Sequence, residues 1–359
     1  LARLAEGDYR LIVMHHHIVL DGWSMPLLLQ DMLVLYATRG DSSVLPRQRP
    51  YRTYLEWLTG QDKDASLSAW ANALAGLDEP ALLTGRAQET VIEGRSNSVS
   101  VDLGADRTAR LGELAGRLGV TVNTLMQSAW GVLVSRLTGQ DDVVFGATVS
   151  GRPPQLDGVE SMVGLFINTL PVRVRLNRAD TVEQTVTRVQ SEQASLLDHH
   201  YVGLSEIQRR VAGGVRFDSL VVFESYPVDA EGLAAQAAAI DGMGLESLEM
   251  DDTTTYPITL MIMGSSSLEL RLKYLPGSVD PAGAQTILDR VVRVLDQFVA
   301  DPAVPVGEVD LLDEVERSRV LEVWNDTARV VDGPGSLPGV FVEQVRRSPD
   351  AVAVVFEGE

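Results

Sequence analysis

The sequence contains no cysteine and only five histidines in 359 residues. The absence of cysteine excludes disulfide bonds and cysteine nucleophiles, and it fits the reducing cytoplasm that we predict as the location. No apolar run reaches the ~18 residues that span a membrane, and we identify no signal peptide at the start of the chain. Basic residues number 30 against 50 acidic ones, and the net charge of -20 disfavours binding to nucleic acid or to an anionic membrane.

Three of the five histidines stand together as His15, His16 and His17. They belong to an apolar segment that predicts a buried strand over residues 8–18. Histidine exchanges a proton near neutral pH, so the cluster is a candidate for general acid–base chemistry. Side chains alternate along a strand, so His16 and His17 point to opposite faces and only one of them can face a given cavity.

Asp21 and Gly22 follow the histidines at the end of the predicted strand. A turn there can bring the carboxylate back under the strand, and glycine lets a substrate approach the main chain. Either Asp21 or Ser24 can cap the helix predicted to follow. A zinc site made by the histidines and Asp21 is disfavoured, because neighbouring strand histidines diverge and no second group of ligands has metal spacing. A purely structural role for the histidines is a further alternative.

Apolar residues make up 45% of the chain, which predicts a globular protein with room for two core-forming units. The apolar periodicity predicts helices and strands without a strict β-α-β alternation, so we expect a mixed sheet covered by helices. The predicted helices are 24–38, 51–59, 65–77, 105–118, 122–137, 181–197, 204–210 and 282–300. The predicted strands are 8–18, 98–103, 142–150, 166–176, 217–224, 256–264 and 268–274, the last two as a hairpin.

The pattern H-H-x-x-x-D-G followed by Trp-Ser resembles the signature of the condensation domains of nonribosomal peptide synthetases. Residues 163–173, V-G-L-F-I-N-T-L-P-V-R, resemble the G-x-F-x-N-T-x-x-x-R motif of that family. Residues 145–153 resemble the segment that the family places under its active-site tunnel. The matches are looser at 198–201 and 217–227, and Thr53 stands where the Y-x-D-Y motif usually has aspartate.

The resemblance implies the α/β (α+β) fold of chloramphenicol acetyltransferase, which has two lobes, mixed sheets covered by helices and an active-site tunnel between the lobes. The family places its histidine motif far into the domain. Residues 1–102 are therefore identified as the remainder of the N-terminal lobe, and residues 103–325 as the C-terminal lobe. Residues 326–359 resemble an exit linker and the first residues of an adenylation domain.

The reaction implied by the resemblance is amide-bond formation between a donor acyl or peptidyl thioester and an acceptor aminoacyl thioester. Both are carried on the 4′-phosphopantetheine arms of partner carrier proteins, an upstream donor and a downstream acceptor, and no metal is expected. An adjacent adenylation domain is the other expected partner. Three alternatives stay open: an epimerising relative, a coenzyme A-dependent acyltransferase of the same fold, and a catalytically silent domain that docks carrier proteins. Heterocyclising relatives replace the histidine motif and are set aside.

The resemblance also assigns roles to single residues. His17 faces the tunnel and either accepts the proton of the acceptor amine or orients that amine. Asp21 is a structural anchor that pairs with a buried arginine, either Arg173 or one supplied from the missing N-terminal part. Gly22 either donates its N–H to the developing oxyanion or is simply the glycine of the turn. The other residues assigned to the substrate site are His16, Trp23, Ser24, Asn168, Thr169, Ser225 and Tyr226. Of these, His16 and Trp23 are expected to pack, and Ser24 is expected to cap a helix.

Overall fold

The structure is a computed structural model, and it describes residues 1–77, 79–85, 95–211, 215–224, 230–240, 243–247, 255–264, 266–329 and 335–358. The chain forms two compact units, Leu1–Leu311 and Leu312–Glu359. Among the described residues, no helix is both long enough and apolar enough to cross a membrane.

The first unit contains both strands and helices. The strands are β1 (Ala2–Ala5), β2 (Asp8–Arg10), β3 (Asn97–Asp102), β4 (Asp142–Val149), β5 (Asn168–Arg175), β6 (Ser219–Phe223), β7 (Ile258–Met263) and β8 (Glu269–Tyr274). The helices are α1 (Ser24–Ala37), α2 (Arg52–Thr59), α3 (Lys63–Ala73), α4 (Gly104–Leu118), α5 (Val122–Thr138), α6 (Val182–Ala194), α7 (Leu204–Arg210), α8 (Ala230–Ala238) and α9 (Pro281–Ala300). The second unit contains α10 (Glu314–Ser318) and α11 (Leu337–Arg347).

Strands β3 to β8 form one six-stranded sheet in the order β3-β8-β7-β6-β4-β5. The pairs β3/β8, β7/β8 and β4/β5 are antiparallel, whereas β4/β6 and β6/β7 are parallel. The sheet is therefore mixed, as the irregular alternation of elements predicts. The predicted hairpin is confirmed, because β7 and β8 pair from Ile258 with Tyr274 to Met263 with Glu269.

Helix α5 lies at the centre of the core. Its apolar side chains are buried all round, which is typical of a helix enclosed by other elements. The helix begins where the Thr121 side chain accepts a hydrogen bond from the Thr124 N–H, and it ends at Gly139 in a left-handed conformation. Helices α4, α6 and α9 pack against α5, and their apolar residues join the sheet in one continuous cluster.

The strand predicted over residues 8–18 is wrong for most of its length. Only Asp8–Arg10 forms a strand, and it pairs with Ala2–Ala5 alone. Residues 11–16 form neither helix nor strand, and the apolar side chains of residues 11–14 are exposed, up to 93% for Met14. A strand needs a hydrogen-bonding neighbour, and the described part of the chain offers none at this position. The apolar pattern was therefore a sign of burial that these residues do not achieve within the chain.

Candidate active site around the histidine motif

The three histidines are exposed, and His17 is the first residue of a short turn over residues 17–19. The Nδ1 atom of His16 accepts the N–H of Ile18 at 3.0 Å, and its carbonyl accepts the N–H of Val19 at 3.0 Å. The rings of His15 and His17 meet edge to face, with their centroids 5.6 Å apart. The structure thus presents the His17 imidazole at the surface, whereas one nitrogen of His16 is occupied by the main chain.

Asp21 lies four residues after His17 and, unlike the histidines, is shielded from solvent. Its side chain is buried, and both of its oxygens accept hydrogen bonds. Oδ1 accepts the N–H of Ser24 at 3.0 Å, its hydroxyl at 2.7 Å and Nη2 of Arg152 at 3.2 Å. Oδ2 accepts the N–H groups of Phe166 at 3.1 Å and Ile167 at 3.3 Å. A carboxylate with this many donors is a structural anchor for the turn and has no lone pair placed for a substrate.

Arg152 is the cation that compensates this buried carboxylate. Its side chain is 4% exposed, and its guanidinium also donates to the carbonyls of Val159 and Met162. The guanidinium carbon lies 4.0 Å from the centroid of the Phe166 ring, within the range of a cation–π contact. Burial lowers the pKa of Arg152, and the charge of Asp21 opposes that shift. Arg152 therefore ties the histidine motif to the segment that leads into β5.

The predicted pairing of Asp21 with Arg173 is wrong. Arg173 forms a two-point ion pair with Asp142, with Nη2 2.6 Å and Nε 2.9 Å from the carboxylate oxygens. Its Nη1 donates to the carbonyls of Ala73 at 3.0 Å and Ala75 at 2.8 Å, at the end of α3. The reason is the sheet register, because β4 places Asp142 diagonally opposite Arg173 on the same face. Arg173 thus supports helix α3.

Replacing Arg173 with methionine is expected to lower the free energy of unfolding by about 1.5–3 kcal/mol, the usual range for hydrogen bonds to a charged group. The substitution removes the ion pair and leaves the carbonyls at the end of α3 without their donor. Urea denaturation measures the loss. Arg175→Met is the matched control, since Arg175 on the same strand is 53% exposed and pairs with Glu192 at the surface. Equal stabilities of the two variants would contradict the assignment.

The segment after Met162 rests on aromatic side chains from the start of α2. The hydroxyl of Tyr51 donates to the carbonyl of Leu165. The Phe166 ring lies 5.1 Å from the Tyr51 ring and 4.6 Å from the Tyr54 ring, and burial raises the pKa of Tyr54 to about 12. A Cβ atom at Gly164 would lie 2.1 Å from the Tyr51 ring. The side chains of Tyr51 and Tyr54 therefore pack against residues 164–166, and glycine is needed at 164 for this close approach.

The Asn168 side chain is fastened to the main chain of a neighbouring loop. Its Nδ2 donates to the carbonyls of His200 and Val202, both at 2.8 Å, which uses both amide hydrogens. Thr169 is paired with Thr148 in the β4/β5 ladder. Burial lowers the pKa of His200 to about 4, so its ring is neutral at physiological pH. Both amide hydrogens of Asn168 therefore donate to the main chain, although the sequence analysis assigned this residue to the substrate site.

The remaining predicted residues lie around the turn or outside the described chain. Trp23 donates its indole N–H to the carbonyl of Glu160 at 2.9 Å, and Gly22 is half-buried beside it. Ser24 is fully buried. Ser225 and Tyr226 lie outside the described residues. Among those that are described, no group of three or more His, Asp or Glu side chains is arranged to hold a metal ion.

The condensation-domain family model matches residues 1–321, and the chain therefore belongs to the condensation-domain family. Over 362 residues it is 33% identical to tyrocidine synthase 3 of Brevibacillus parabrevis, covering 98% of this chain and 6% of that protein. Over 359 residues it is 33% identical to surfactin synthase subunit 2 of Bacillus subtilis (strain 168), covering 99% of this chain and 10% of that protein. The chain thus spans a tenth or less of the length of these relatives.

Among solved structures, the chain is similar to the first condensation domain of the calcium-dependent antibiotic synthetase, in complex with a substrate analogue. The TM-score is 0.65 at 24% identity, over 83% of this chain and 66% of that one. The predicted fold is confirmed, since a mixed sheet covered by helices is shared with a condensation domain of the chloramphenicol acetyltransferase-like fold.

Proposed function

We propose that the chain forms an amide bond between a donor acyl or peptidyl thioester and an acceptor aminoacyl thioester in a nonribosomal peptide synthetase. Each substrate is carried on the 4′-phosphopantetheine arm of a carrier protein, so the arm belongs to the substrate. The observation that carries the proposal is the contrast within the motif: His17 has an exposed imidazole, whereas the turn that follows contains a buried Asp21 whose carboxylate accepts several hydrogen bonds. An accessible base on a fixed support is what a reaction between two bound substrates requires.

In the proposed reaction, the acceptor amine attacks the donor thioester carbonyl. A C–N bond forms, the carbonyl oxygen becomes an oxyanion, and the C–S bond then breaks to release the donor thiolate. His17 either accepts the proton that the amine nitrogen loses and passes it to the leaving sulfur, or orients the amine by a hydrogen bond. The N–H of Gly22, in the turn next to Asp21, donates to the oxyanion.

Asp21 takes no proton in this scheme. Its oxygens are occupied by main-chain N–H groups, the Ser24 hydroxyl and Arg152. Its contribution is to hold the turn that carries Gly22, and through the main chain the nearby His17. Trp23 contributes in the same way, because its indole is fixed on the carbonyl of Glu160.

The domain assignment is part of the proposal. We assign residues 1–102 to the N-terminal lobe, residues 103–325 to the C-terminal lobe, and residues 326–359 to an exit linker and an adenylation-domain segment. The match to surfactin synthase subunit 2 covers 99% of the chain and so extends beyond residue 321, where the family model ends. The proposed partners are accordingly donor and acceptor carrier proteins and an adenylation domain, in the cytoplasm.

The test supplies a donor-loaded and an acceptor-loaded carrier protein to the condensation domain. We expect an amide on the acceptor carrier, detected by mass spectrometry. Transfer from an acyl-coenzyme A to a free amine, with nothing formed on the carrier, would favour the acyltransferase alternative. Uptake of deuterium at the donor α-carbon without an amide would favour epimerisation. Binding of both carriers without turnover, over several substrate pairs, would favour the silent docking domain.

A further inference from the structure

Ser24 connects the histidine motif to the segment that leads into β5. It has no exposed surface. Its Oγ lies 2.7 Å from Oδ1 of Asp21, 3.0 Å from the carbonyl of Gly164, 3.1 Å from the N–H nitrogen of Gly164 and 3.3 Å from Nη2 of Arg152. A hydroxyl has one hydrogen and two lone pairs. The hydrogen goes to the charged and closer carboxylate, and the two lone pairs accept from Gly164 and Arg152.

This arrangement uses the full hydrogen-bonding capacity of the Ser24 hydroxyl. A buried group without a spare donor or acceptor does not bind substrate, which overturns the expectation that Ser24 belongs to the substrate site. It also does not cap helix α1 through its side chain. Instead, the Asp21 carboxylate accepts the N–H of Ser24, and this bond holds the first turn of the helix.

The positions of Asp21 and Ser24 bracket Gly22. The N–H of Asp21 donates to the carbonyl of Gly164 at 3.0 Å, and the N–H of Ser24 donates to the carbonyl of Asp21 at 3.1 Å. The Ser24 hydroxyl closes the loop by joining the N–H of Gly164 to the Asp21 carboxylate. Both ends of the Gly22 turn are thus held against one residue of the neighbouring segment.

We propose that Ser24 is a positioning residue, which sets the direction of the Gly22 N–H and the place of His17 by locking Asp21 to Gly164. The inference rests on the proposed function and deepens it. Ser24 touches no reacting atom, so its effect falls on the step in which the oxyanion forms. Loss of substrate affinity is not expected, because Ser24 has no surface at which a substrate could bind.

The experiment compares Ser24→Ala with the wild type in the carrier-protein assay. We expect Ser24→Ala to lower kcat by about 10- to 100-fold, the cost of a small misplacement of reacting groups, while KM for each loaded carrier changes less than about twofold. Ser24→Thr, which keeps the hydroxyl, is expected to restore most of the rate. Hydrogen exchange is expected to rise in Ser24→Ala over residues 17–24 and 159–168 and to stay unchanged elsewhere.

Two controls separate positioning from loss of stability. Ser128→Ala removes an equally buried hydroxyl that has no partner among the described residues, and we expect the rate to stay unchanged. Val291→Ala creates a cavity in the core on α9 and lowers the stability without touching the site. Its urea midpoint measures the loss of stability, and its kcat shows how far the rate falls from destabilisation alone. If Ser24→Ala does not fold, Ser24→Cys takes its place, since a thiol has a similar size and is a weak hydrogen-bonding group.

Two results would overturn the proposal for Ser24. The first is that Ser24→Ala and Val291→Ala have the same urea midpoint and also the same kcat. The second is that Ser24→Ala raises KM and leaves kcat unchanged, which would make Ser24 a substrate ligand. Either result, with a wild type that forms the amide, leaves the proposed function intact. A wild type that forms no amide overturns the proposed function and this inference together.

Discussion

Arg152→Met is expected to lower the free energy of unfolding by about 3–5 kcal/mol, the usual loss when one partner of a buried ion pair is removed. The Asp21 side chain is 2% exposed and would stay buried without its cation. The carbonyls of Val159 and Met162 would lose their donors in the same variant. Urea denaturation followed by tryptophan fluorescence measures the change, because the chain has five tryptophans.

The coupling between the two charges is measured by a double-mutant cycle with Asp21→Asn. Asp21→Asn alone is also expected to lower the free energy of unfolding. The amide nitrogen of asparagine is a donor, and it would face groups that now donate hydrogen bonds to the carboxylate. The double variant is expected to lose less than the sum of the two single losses, since no unpaired charge remains. Arg175→Met serves again as the exposed control and is expected to lose at most about 1 kcal/mol. A loss below this value for Arg152→Met would contradict the role given to the pair.

His17→Ala is expected to reduce the rate of amide formation by about 100- to 10,000-fold, the range for removal of a general base. The fold should not change, because the His17 side chain is exposed and lies in a turn rather than in the core. The loss should therefore appear in single-turnover rates at an unaltered urea midpoint. The measurement uses the mass-spectrometric assay for the carrier-bound amide.

His15→Ala is the matched control for this prediction, because His15 is exposed, lies two residues away and stands outside the H-H-x-x-x-D-G pattern. We expect it to retain the rate of the wild type. If His17→Ala also retains that rate, the amine arrives deprotonated and already oriented, and His17 is part of the architecture. Equal losses in both variants would point to a disturbed turn instead of a lost base.

Much of the fold could be predicted from local pattern. Helix α1 and helix α7 lie within a residue of their predicted bounds, because apolar spacing acts over a few positions. The strand over residues 8–18 could not be judged in this way. Apolar alternation shows that a segment is suited to burial, but whether a neighbouring strand exists depends on the rest of the molecule.

The contacts of the site were predictable only in part. The need of Asp21 for a buried arginine follows from the cost of an isolated charge. The identity of Arg152 does not, because it lies 131 residues further on and nothing in the spacing distinguishes it from Arg173. The sheet register decides between the two. The only signal in the sequence was the segment 145–153, whose resemblance to the family includes Arg152.

The long sequence separation between Asp21 and its partners affects how the protein is made. Arg152, Phe166 and Ile167 follow Asp21 by 131, 145 and 146 residues. At a synthesis rate of about 5–20 residues per second, the motif is made roughly 7–26 seconds before the arginine that fixes it. During this interval the carboxylate of Asp21 has no arginine to pair with, and the N–H groups of Phe166 and Ile167 have not yet been made. The turn that bears the histidines therefore acquires its native contacts only after residues 152–167 have been made.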